Sequence, residues 1–120
     1  WSFYNRTIRN MLDSIKNDKA TIIFTAVDDI VKIPQITGGE SSHRRVKVQG
    51  KVHEGAVEKE FLMVLFTEVR KNEKTEEMEY FFQTNTDGVT SAKTPMGMFD
   101  KQLIPNDIVT VLEKVEEYYA

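Results

Sequence analysis

The chain has 120 residues, 40% apolar and 29% charged, enough for one compact domain with a core of its own and without metals or cross-links. Sixteen Lys and Arg against nineteen Asp and Glu leave a net charge of −3, which argues against a general nucleic-acid binder, since that requires a cationic footprint. There is no cysteine, so disulfides, thiolate nucleophiles and cysteine metal sites are excluded.

The chain opens Trp1-Ser2-Phe3-Tyr4, three aromatics in four residues, followed by Asn5-Arg6. Aromatics at a polar boundary mark the segment just outside a membrane anchor, so an anchor before Trp1 and an extracytoplasmic location are expected. A hydrophobic first turn packed on the core gives the same pattern. No apolar run within the chain is long enough to span a bilayer.

Residues 3–17 read as an amphipathic helix. Tyr4, Ile8, Met11, Leu12 and Ile15 form one stripe at helical period, and Asn17-Asp18 ends it. Residues 20–27, Ala-Thr-Ile-Ile-Phe-Thr-Ala-Val, are β-branched and aromatic and predict a strand. Asp28-Asp29 interrupts it. Residues 30–36 resume an extended character, with Pro34 restricting them to a sheet edge. Residues 37–42 are the first clear loop.

From Arg45 to His53 apolar and polar residues alternate, the mark of a half-buried antiparallel strand. Glu54-Gly55-Ala56 follows as a turn. Residues 58–71 predict a strand apolar on both sides over its first half, and therefore covered on both sides, either by the terminal helices or by a second copy. Asn72 to Thr75 is a hairpin loop, and residues 76–84 a further strand. Residues 85–104 form a long aperiodic connection. A helix over 105–119 closes the chain, with Pro105 in its first turn, Asn106 or Asp107 as cap, and a stripe of Ile108, Val111, Leu112, Val115, Tyr118 and Tyr119.

This order predicts an α+β domain spanning residues 1–120, with a curved antiparallel sheet of four to five strands packed on an N-terminal and a C-terminal helix. Such a two-layer sandwich or half-open cone resembles, in outline only, cystatin-like domains, nuclear-transport-factor-like cones and the kinase-associated C-terminal module. These folds share a shape and not a function.

No catalytic motif stands out. His43 and His53 lack carboxylates at ligand spacing, so surface histidines are expected and no metal. The acidic pairs Asp28-Asp29 and Glu76-Glu77 put neighbouring acids on opposite faces of a strand. Thr37-Gly-Gly-Glu-Ser-Ser42 lacks the ending of a phosphate loop, and no cofactor is implied. Arg44, Arg45, Lys47 and Lys51 form a basic run on one strand, a candidate dock for acidic protein surface or anionic lipid, unless Glu68, Glu77 and Glu79 neutralise it across the ladder. Phe61, Met63, Tyr80 and Phe82 are the candidate lining of a small-ligand pocket between sheet and helix. The expected function is a non-enzymatic protein-binding or assembly module. The competing expectations are an intracellular regulatory module acting through the basic strand, and a ligand pocket.

Overall fold

The structure, a computed structural model, describes residues 2–15, 20–47 and 56–120. Eight elements follow in order: α1 Ser2–Ile15, β1 Asp28–Pro34, β2 Glu40–Val46, α2 Ala56–Lys59, β3 Phe66–Lys71, β4 Met78–Gln83, β5 Leu103–Pro105 and α3 Ile108–Tyr119. The fold is α+β with antiparallel sheets and a helix at each end. The described strands fall into two sheets, one of two strands and one of three, rather than the single sheet of four to five that was expected.

In α1 the apolar stripe sets Leu12 into the core at 1% exposure, and Arg9 reaches across to Glu60 at 2.9 Å. The predicted stop at Asn17-Asp18 lies outside the described residues.

β1 and β2 form a hairpin whose register runs from Asp28↔Val46 to Pro34↔Glu40. Gly38 and Gly39 close it with φ of +96° and +76°, a backbone only glycine adopts without strain. Two expectations fail here. Asp28-Asp29 opens the strand instead of breaking it, because Asp28 finds a cation on the neighbouring strand. Residues 40–42 are ladder instead of loop. Of the predicted strand over 45–53, the described part is Arg45 and Val46, which end β2, and Lys47 after it. Residues 48–55, with Lys51, His53 and most of the turn at 54–56, lie outside the described residues.

The second sheet is the β3–β4 hairpin with β5 added on the far side of β4. Its turn runs from Asn72 to Glu77, two residues longer than the predicted loop of Asn72 to Thr75, and the strand expected from residue 76 begins at Met78. The Asn72 side chain accepts from the Lys74 amide at 2.9 Å, and Glu76 takes φ of +61°. The long strand expected over 58–71 begins only at Phe66. Val57 and Phe61 stand four apart across the one-turn helix α2, and residues 60–65 are irregular apart from a bridge at Val64. An apolar run cannot by itself distinguish helix from strand.

The connection from 85 to 102 is a strap. Arg44 of β2 donates its amide to Val89 O at 2.8 Å and accepts from Ser91 N at 3.0 Å, while Val64 and Lys93 exchange two bonds of 2.9 Å. One short segment therefore grips β2 at one end and the approach to β3 at the other. Thr90, Ala92 and Met98 are buried beneath it. Tyr118 Oη donates to Met96 O at 2.7 Å, which ties α3 to the same strap.

α3 is capped by Asp107, whose carboxylate accepts from Val109 N and Thr110 N. Pro105 is the last residue of β5 and not the first turn of the helix. Of the predicted helical stripe, Val111 is buried and Leu112 and Val115 are half-buried, but Tyr118 and Tyr119 are exposed.

Candidate functional site

Between α1, residues 20–28, residues 57–67 and α3 runs an open groove of about 1410 Å³. Its floor includes Phe61, Met63, Leu65 and Phe82, and its far wall Ile108, Val111, Leu112 and Val115. Ile8 and Met11 close it on the side of α1. The near wall is the segment 20–27, which contacts the floor through a tilted ring pair of Phe24 and Phe61 at 5.2 Å. That segment was expected to be a strand. Its backbone makes no ladder with the described residues, apart from Val27 O accepting from Lys47 N at 2.8 Å.

The groove is wide relative to the molecule. Small-molecule pockets measure about 300–1,000 Å³ and enclose most of their ligand. Leu62, on the groove lining, is 62% exposed. The whole chain exposes 9090 Å², whereas a folded monomer of 13.9 kDa exposes about 6,700 Å². Its radius of gyration of 16.5 Å compares with about 13.6 Å for a compact chain of this length.

Three carboxylates, Asp28, Glu58 and Glu116, line the groove, and of these Glu58 is buried. Glu58 of α2 is only 6% exposed. Its Oε1 accepts from Val46 N at 2.7 Å and Ser91 Oγ at 3.2 Å, and its Oε2 is buried with no hydrogen-bond partner among the described residues. Sequence reasoning missed Glu58, since a Glu between Val57 and Lys59 looks like ordinary surface.

The four cations of the predicted basic face are not equivalent. Arg44 is inward: its guanidinium bonds Asp28 of β1 and Glu68 of β3, donates to Thr67 O at 3.1 Å, and lies 4.9 Å from the centre of the Phe66 ring. Burial works against its charge, but the bonds and charges of Asp28 and Glu68 outweigh this and raise its pKa above the ordinary value. Arg44 thus joins the two sheets. Glu68 was among the residues expected to neutralise the run; Asp28 was not. Arg45 is half-buried and Lys47 exposed at the groove, while Lys51 lies outside the described residues.

Of the expected pocket residues, Phe61, Met63 and Phe82 line the groove together. Tyr80 does not: it is 61% exposed on β4 and is not part of the groove lining. His43 Nε2 lies 2.9 Å from Ser41 Oγ, which also accepts from Gln35 Nε2, and no carboxylate bonds the ring among the described residues. No group of three or more metal-ligating side chains occurs among them, and none of their helices is long and apolar enough to cross a membrane.

A second cavity of about 240 Å³ lies between Arg70, Gln83, Asp87, Gln102 and Leu103. Asp87 accepts from Thr90 N at 2.8 Å and Val89 N at 2.9 Å, and these bonds hold its pKa below the usual carboxylate range. It organises the start of the strap. No protein-family profile, curated protein or solved structure matches the chain.

Proposed function

We propose that this protein is a non-catalytic binding or assembly module, and that a protein partner covers the groove between α1, residues 20–28, residues 57–67 and α3. The observation that carries this reading is the groove itself, apolar, open and larger than a small ligand fills. An exposed apolar surface of this extent is costly in water, and burial against a partner recovers about 25 cal/mol per Å². The pairing of Arg44 with Asp28 and Glu68 weighs against docking through the basic strand, because it commits the central cation of that run.

A photo-reactive residue at Leu62, introduced in the native host, tests the reading. Protein adducts at 62, absent when the same group replaces Lys74 in the β3–β4 turn, are the expected result. Adducts at neither position, or equally at both, overturn it.

A further inference from the structure

We propose that the cavity of about 240 Å³ on the three-stranded sheet binds a small zwitterion, a free amino acid, whose carboxylate is taken by Arg70 and whose ammonium is taken by Asp87, Gln83 and Gln102. This site is separate from the groove, and the inference goes beyond the reading drawn from it.

Sheet register brings the lining together. Arg70 faces Glu79 and Phe66 faces Gln83 across the β3–β4 ladder, and Gln83 faces Leu103 across β4–β5. Residues directly paired share a face of the sheet, as do residues two apart on one strand. Arg70, Gln83 and Leu103 therefore stand on one face, and the two ends of the strap add Asp87 and Gln102.

Arg70 is a cation without a counter-ion. The two acids nearest to it on that face are committed elsewhere. Glu79, directly opposite, accepts from the Asn72 side chain, and Glu68, two residues back along β3, is bonded to Arg44. The Arg70 guanidinium makes no ion pair among the described residues. Its planar fork fits a carboxylate through two parallel bonds.

The rest of the lining offers acceptors. Gln83 is 4% exposed, and its Nε2 donates to Asn85 O at 2.9 Å; Gln102 Nε2 donates to the same carbonyl at 3.2 Å. A carbonyl only accepts, so these bonds engage both amide nitrogens and leave both Oε1 atoms to receive a donor. Asp87 takes the Thr90 and Val89 amides through one oxygen, Oδ1, and those bonds hold it ionised. Two amide oxygens and a carboxylate match the three N–H donors of an ammonium. With one cation and one anion in the lining, a ligand bearing both charges satisfies each, whereas a ligand with one sign alone meets a like charge. The volume lies below the range of about 300–1,000 Å³ that holds drug-sized molecules, and Leu103 supplies an apolar wall for a small side chain.

Titrating the isotope-labelled chain with glycine and with L-leucine, followed by NMR of backbone and side-chain amides, tests the site. Saturable shifts at Gln83, Asp87 and Gln102 are expected, with a dissociation constant of about 1 mM or tighter. Isocaproate and isoamylamine, which each keep one charge of leucine, should bind at least about tenfold more weakly, and this comparison needs no variant. Arg70→Gln, at an exposed position, should weaken leucine binding by at least about tenfold, with Lys71→Gln on the opposite face as the unchanged control. Circular dichroism checks that both variants fold. The absence of saturable shifts with either amino acid at about 10 mM overturns the proposal. Isocaproate or isoamylamine binding as tightly as leucine, or an Arg70→Gln variant that folds and binds unchanged, overturns it too. None of these results touches the Leu62 adducts on which the reading of the groove depends.

Discussion

Replacing Arg44 with Gln removes the one side chain among the described residues that touches both sheets through ionic bonds, and the structure sets the size of the loss. Its guanidinium makes two ionic bonds, one backbone bond and one ring contact, with the side chain 23% exposed. The Asp28 partner is 43% exposed, so that pair is worth about 0.5 kcal/mol, as surface pairs are. Glu68 is more sheltered at 25%, and a charge-assisted bond there contributes about 1.5 kcal/mol. The Phe66 contact adds about 0.5 kcal/mol. The variant should therefore lose about 2–3 kcal/mol, or about 10 °C in Tm for a chain of this length. Urea unfolding followed by far-UV circular dichroism measures it, with Arg9→Ala, an exposed ion pair, as a control expected to change by less than about 0.5 kcal/mol. Arg44→Lys should fall between, keeping the charge and losing the planar fork. If Arg44→Gln proves as mild as Arg9→Ala, the bridge between the sheets contributes nothing and the reasoning fails.

Asp107→Ala should cost about 1 kcal/mol by removing the cap that accepts from Val109 N and Thr110 N, read from the same urea midpoint. Glu76→Gly should gain about 0.5 kcal/mol, because Glu76 holds a left-handed backbone at φ of +61°; an unchanged or lower midpoint refutes that. Leu12→Ala should lose about 2–4 kcal/mol, since Leu12 is the one fully buried apolar side chain that α1 contributes among the described residues. Asp87 should titrate below its ordinary value, because the Thr90 and Val89 amides stabilise its ionised form. Its contribution to stability is thus present above the unfolded carboxylate range and lost as pH falls through the folded pKa. Side-chain NMR gives the midpoint, and a titration at or above the free value excludes the effect.

The two terminal helices and the β3–β4 hairpin were legible because their signals are local, whereas the one-turn α2 was read as turn and strand. The stripe of Ile8, Met11 and Leu12, the stripe of Val111, Leu112 and Val115, and the polar turn from Asn72 each declare themselves within a dozen residues. Division into two sheets was not legible. It depends on where residues 58–65 leave the extended conformation, and an apolar run carries no period to say so. Asp28 looked like a strand breaker because its partner Arg44 is sixteen residues away. Pro105 looked like a helix start because a first-turn proline and a strand-terminal proline precede a cap in the same way. The groove was half legible: Phe61, Met63 and Phe82 converge as expected, but Glu58 and the wall at 20–27 depend on tertiary placement.

The strap at 89–93 also bears on how this molecule comes apart. By clasping Arg44 on one side and Val64 on the other, it couples a two-stranded hairpin, marginal on its own, to the larger sheet. Loosening these bonds together with those of Arg44 to Glu68 and Thr67 O and of Val46 N to Glu58 frees the smaller hairpin while the larger sheet stays paired. Amide exchange in β1 and β2 should then report an opening cheaper than global unfolding, whose threshold is set by a segment that sequence alone would dismiss as connecting chain.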